Sequence, residues 1–176
     1  MCIKTCWQKL HRLSPSAQVA LAGVYGLLLS GGAYVLEYGF HALPCHMCWL
    51  QRYDHWALTA IGLGGALVLQ KRPQWRWAVW LGLLGAALTG VGLAIYHTLI
   101  QLKIVPLPEG CEGSSIVIPD DIDAFLASLH HTFIPPACDQ ADFTILGLTL
   151  PMWNIAAMVG LTVGLGVLAC WWRKKA

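Results

Sequence analysis

Long stretches without a charged residue alternate with short polar clusters along this chain. Ala17 to Leu36 contains no Asp, Glu, Lys or Arg, and neither do Trp77 to Ile100 and Leu150 to Trp172. Trp56 to Leu69 is equally apolar, and it reaches spanning length when extended back to Cys48. A membrane crossing needs roughly 20 mostly apolar residues. In hydrocarbon an open sheet edge leaves backbone groups unpaired, so such crossings are helical. The pattern predicts an all-α membrane protein, a four-transmembrane-helix bundle with spans near 17–36, 48–69, 77–100 and 150–172. The first span is too long for a signal-peptide core and no small-residue cleavage site follows it, so a retained helix is expected.

The polar clusters predict the connections. A first outer loop covers 37–47, and Pro44 there favours a helix beginning just after it. Residues 70–76 form a tight inner turn. A long second outer loop covers 101–149. Within it, Ile122, Phe125, Leu126 and Leu129 fall at helical spacing, with Asp120 or Asp121 as a cap. This predicts a short amphipathic helix, resting either on the membrane surface or on the protein's own loops. Pro151 fits the first turn of the last helix. Trp49, Trp56, Trp75, Trp77, Trp80, Trp153, Trp171 and Trp172 lie near predicted helix ends, as in an aromatic belt.

Composition agrees: 57% of the 176 residues are hydrophobic and 11% are charged, against about 25% charged in soluble domains. Lys4, Lys9 and Arg12 precede the first span, Lys71, Arg72 and Arg76 separate the second and third, and Arg173, Lys174 and Lys175 follow the fourth. By the positive-inside rule these segments are cytoplasmic and both termini are inside. The acidic residues all lie elsewhere. A net charge of +2 explained by topology gives no reason to invoke nucleic acid.

Topology also sorts the seven cysteines. Cys2 and Cys6 fall on the reducing side, with no apolar run before them to suggest a lipoprotein. Cys170 is expected to be buried packing near the inner end of the last helix. Cys45, Cys48, Cys111 and Cys138 fall outside, where disulfides persist. Cys45-His46-Met47-Cys48 sits at the start of a predicted helix, where unpaired N–H groups favour a thiolate. Arg52 shares a helix face with Cys48, and either stabilises that thiolate and a reduced, anionic acceptor or only anchors the helix. His97 and Gln101, at the outer end of the third span, either donate to an acceptor or pair with backbone and water. His46 could tune the cysteines, and a hydrogen-bonded partner is expected for Glu37 and Asp54. Cys111 and Cys138 read either as a structural disulfide or as an exchangeable one, with Gly110 and Gly113 leaving Cys111 adaptable and reachable. Two other classes compete with redox chemistry. One is a zinc site built from the four outer thiols, and the other is a structural tetraspan held by its disulfides.

Taken together, these residues resemble the DsbB family of bacterial inner-membrane disulfide-bond formation proteins. The resemblance rests on Pro44-Cys45-x-x-Cys48 before the second helix with Arg52 following, and on Tyr96-His97-Thr98 ending the third. A cysteine pair in the second outer loop and Leu146-Gly147-Leu148 with Pro151 and Trp153 opening the fourth helix complete it. It implies disulfides Cys45–Cys48 and Cys111–Cys138. It also implies a DsbA-type thioredoxin-fold oxidase as periplasmic partner, attacking at Cys111, and a membrane quinone (ubiquinone or menaquinone) as acceptor beside Cys48. Arg52, His97 and Gln101 would then be quinone-site residues, and no metal is implied. An oxidase at about −120 mV needs a stronger acceptor to be reoxidised, which a quinone supplies. The His46-Met47 interior departs from the family pattern, and Cys2, Cys6 and Cys170 have no counterpart in it.

Overall fold

A computed structural model describes residues 13–113, 135–140 and 143–174. The predicted amphipathic segment, and Cys2 and Cys6, lie outside these residues. Among the described residues there are four long helices: α1 Pro15–Phe40, α2 His46–Lys71, α3 Arg76–Gln101 and α4 Leu150–Lys174. Pro15 opens α1 behind Ser14, whose hydroxyl accepts from Ala17 N. This is an ordinary N-cap, with proline where a missing N–H costs nothing. Pro73–Trp75 forms a 3-10 turn joining α2 to α3.

Three of the helical stretches, Pro15–Phe40, Pro73–Gln101 and Leu150–Lys174, are long and apolar enough to cross a membrane. α2 is as long as α1 but carries Gln51, Arg52, Asp54 and His55 in its first three turns. It packs against both α1 and α3, and α3 packs against α4.

Close backbone contact sets the α1–α2 pairing. A Cβ built at Gly23 would come within 2.7 Å of Leu63 N, and one at Gly26 within 2.7 Å of His55 O. Between apolar helices in lipid, water exclusion contributes little, and close packing of small residues takes its place. Deeper in, Val19, Leu58, Leu83, Ala87, Met158, Leu165 and Trp172 form the main apolar core. A second cluster at the other end gathers Cys45, Met47, Ile100, Cys111 and Cys138.

Several expectations need correction. α1 runs on to Phe40 and α2 starts at His46, so the first loop is shorter than 37–47 and Glu37 lies inside α1. His41 ends α1 in the left-handed region at φ 55°. The second loop contains a two-stranded hairpin, β1 Thr144–Ile145 with β2 Leu148–Thr149. Its two central residues, Leu146 and Gly147, have φ 53° and 78°. Two positive angles are those of a type I′ turn, whose twist matches that of the flanking strands. Cys170 is exposed rather than buried. Trp172 is a core residue whose Nε1 donates to Gln18 Oε1 at 2.8 Å, so a belt does not account for it.

Candidate redox site at one end of the bundle

Pro44 leaves the chain extended into Cys45 (φ −76°, ψ 175°), and α2 begins at the next residue. Cys45 is therefore the N-cap, and its sulfur accepts from Cys48 N at 3.3 Å. The two sulfurs lie 2.8 Å apart as free cysteines, Cys45 buried and Cys48 half-buried. The bond to Cys48, with burial next, pushes the Cys45 thiol up from its ordinary range. Cys45 thus holds its proton, and Cys48 is the sulfur in the first turn of α2, where helix N–H groups favour negative charge. His46 is exposed at the surface.

One turn on, Arg52 is almost fully buried. Its Nη1 pairs with Glu37 Oε2, its Nη2 donates to Ala33 O at 3.3 Å, and the guanidinium lies over Tyr34 and Trp49, 4.8 and 5.0 Å from their ring centroids. Glu37 thus has its partner, and Arg52 is pinned inside the bundle rather than reaching for the surface. Asp54 departs from expectation. Its Oδ2 is buried without a hydrogen-bond partner among the described residues, at a spot where Gly90 leaves room for it.

Cys48 and Arg52 line one cavity of about 290 Å³ between α1, α2 and α4. Its walls are mostly apolar, including Leu29, Ala33, Leu36, Pro44, Leu150 and Ala157. Leu28, Leu43 and Trp153 at its edge are also exposed on the outside of the helices. Polar groups enter from Gln51, Arg52, His55 and Asn154.

His97 and Gln101 do not line that cavity. They border a pocket of about 50 Å³ with Cys45, Cys48 and Pro136. His97 Nε2 lies 3.6 Å from Cys45 Sγ, and its Nδ1 accepts from Gln51 Nε2 at 3.1 Å. Gln51 Oε1 accepts from Asn154 Nδ2 at 2.9 Å, and Asn154 Oδ1 accepts from His55 Nε2 at 3.1 Å. Sequence reasoning missed Gln51, His55 and Asn154. A signal existed: Gln51 and His55 follow Cys48 by three and seven residues on one helix face.

Above the pair, Cys111 and Cys138 are joined by a disulfide with Cα atoms 5.1 Å apart, and Cys138 N donates to Cys111 O at 2.9 Å. Both sulfurs are buried against Cys45 and Met47, so Cys111 is not reachable in this arrangement. The pairing leaves neither thiol available to a four-thiolate zinc site. Among the described residues, Cys45, Cys48 and His97 bring three donor atoms within 4.8 Å of one another.

Two cysteine pairs gather at one end of the bundle, one of them at a helix start beside a buried arginine, and the chain matches the family described as Disulfide bond formation protein DsbB over residues 15–168. The chain belongs to the DsbB family. Disulfide bond formation protein B of Alkalilimnicola ehrlichii is 35% identical over 81% of this chain and 86% of its own length. That of Xanthomonas campestris pv. campestris (strain 8004) is 27% identical over 68% and 70% respectively. Disulfide bond formation protein B 2 of Pseudomonas fluorescens is 26% identical over 81% and 78%. Family membership and the apolar helices together make this a membrane protein.

Proposed function

We propose that this chain is a thiol:quinone oxidoreductase of the bacterial inner membrane. It reoxidises a DsbA-type thioredoxin-fold protein and passes two electrons to a membrane quinone. All four long helices span the membrane with both termini cytoplasmic, in keeping with the basic residues at 71–76 and 173–175. The observation that carries the reading is the shared cavity: Cys48 and Arg52 line one largely apolar space, and Cys48 also packs against the cluster that holds the Cys111–Cys138 disulfide.

The exchange proceeds by thiolate attack through mixed disulfides. A thiolate of the reduced partner attacks Cys111, breaking its bond to Cys138 and leaving Cys138 as the new thiolate. The partner's second thiol then releases the partner oxidised and Cys111 reduced. Exchange between the two pairs then re-forms the Cys111–Cys138 bond and breaks a resting Cys45–Cys48 disulfide, leaving the two electrons on the Cys45 and Cys48 thiols. His97, at Cys45, and Gln101 hold the polar end of the small pocket through which that exchange passes.

The residues present fit a quinone. The walls take an apolar ring, and Arg52 offers hydrogen-bond donors that an oxygen accepts. A quinone held there supplies a sink for two electrons in the lipid phase. The chain's own part is to keep Cys48 ionised at the helix start, with Arg52 fixed beside it by Glu37.

The test uses purified protein with reduced DsbA-type partner and a short-chain quinone, following quinone absorbance. Wild type should consume quinone and Cys48→Ser should not. Equal consumption by the two would remove the reading.

A further inference from the structure

The hydrogen-bonded chain leading from Cys45 into the bundle ends on an atom that the proposed exchange leaves unused. His55 follows Cys48 by seven residues and Arg52 by three, so the three share one face of α2. All three line the 290 Å³ cavity. The His55 residue is only 6% exposed. An amide oxygen only accepts, so the 3.1 Å contact with Asn154 Oδ1 places the imidazole proton on Nε2. Asn154 is held in that orientation because its Nδ2 donates to Gln51 Oε1, and Gln51 in turn donates to His97. One polarity therefore runs through four side chains. A neutral imidazole carries one N–H, so His55 Nδ1 is a bare acceptor. It is buried and without a partner among the described residues. A buried acceptor left unpaired is unfavourable, and a ligand bearing a hydroxyl would satisfy it.

We propose that His55 Nδ1 accepts a hydrogen bond from a hydroxyl of the reduced carrier, so that the cavity favours a dihydroxy ring over the corresponding dione. The inference rests on the quinone reading above. Arg52 offers only donors and serves an oxygen of either redox form. His55 offers only an acceptor, so a dione oxygen, itself an acceptor, is mispaired there. Discrimination between the two forms thus resides in His55 and in the Asn154 amide that fixes its tautomer, as a positioning residue. Favouring the reduced form raises the potential of the bound couple and draws electrons away from Cys48.

The experiment titrates the full chain, oxidised and in lipid nanodiscs, separately with a short-chain benzoquinone and its hydroquinone. Binding is read by tryptophan quenching, because Trp153 lines the cavity. His55→Leu should weaken hydroquinone binding about tenfold and change quinone binding less than about twofold, lowering the midpoint of the bound couple by about 30 mV. Asn154→Leu keeps the His55 ring but frees its tautomer. It should shrink the preference for hydroquinone while both forms still bind, and it decides the matter if His55→Leu does not fold. Equal loss of both forms in His55→Leu, an unchanged hydroquinone affinity, or an unchanged preference in Asn154→Leu would overturn the proposal alone. A wild-type protein that binds neither form overturns the quinone reading and this inference with it.

Discussion

The two cysteine pairs of this protein touch, yet they are built in opposite ways. Cys45 and Cys48 sit on one helix start, and their spacing alone brings the sulfurs together. Cys111 and Cys138 are 27 positions apart in the chain and meet only in the folded protein. A bond within a four-residue segment removes little chain freedom, whereas closing a loop of the second size removes about 3–4 kcal/mol worth. On the proposed function, the first pair would gain and lose electrons with little change in shape. Opening the second pair releases a loop. The division suits a relay in which the outer pair must move to meet a protein and the inner pair must stay fixed against a cavity.

The strongest test of this contrast removes one sulfur from each pair. Cys48→Ser should reduce quinone consumption to background with any reductant. Cys111→Ser should abolish turnover with the protein partner yet leave oxidation of a small dithiol, which reaches Cys45–Cys48 directly. Loss of both activities in Cys111→Ser would erase the division of labour. Next in size is the arginine beside the inner pair. Arg52→Leu leaves Glu37 buried and unpaired and should cost about 3–5 kcal/mol, seen as a large fall in Tm. The double change Arg52→Leu, Glu37→Leu should regain most of that stability without regaining quinone binding.

Smaller effects follow from loop closure and from the sulfurs themselves. Reducing Cys111–Cys138 should cost about 3 kcal/mol, read as faster amide exchange at 105–113 and 135–140 with α1 and α2 unchanged. In the fully reduced protein, Cys48 should be alkylated before Cys45, because burial and the bond to Cys48 keep Cys45 protonated. Mapping the first label to Cys45 would reverse the assigned roles. In the inner half, Leu83→Ala should cost about 2–5 kcal/mol of stability while turnover per folded molecule holds.

Much of the fold could be read from the chain. The helices at 15–40, 46–71, 76–101 and 150–174 fall within a few residues of the predicted spans. Hydrocarbon length and backbone pairing leave so few alternatives that apolar runs nearly dictate them. Of the site, the two cysteines and the arginine were legible, because a Cys-x-x-Cys and an i, i+4 neighbour act within one helix turn. Partners on other helices were not. Glu37 was placed in a loop, His97 was expected at the acceptor rather than against Cys45, and Asn154 was overlooked as one amide in an apolar helix.

Composition and periodicity by themselves decided that this is a helical membrane chain with Cys45, Cys48, Cys111 and Cys138 at one end, since both are local consequences of which residues tolerate hydrocarbon. Only the packing of four helices decided who meets whom: Arg52 with Glu37, His97 with Cys45, and Gln51, Asn154 and His55 in one hydrogen-bonded row. Those contacts join residues up to 103 positions apart. Such pairings depend on the rotation and depth of each helix in the bundle, which small residues such as Gly23 and Gly26 set at the point of closest approach.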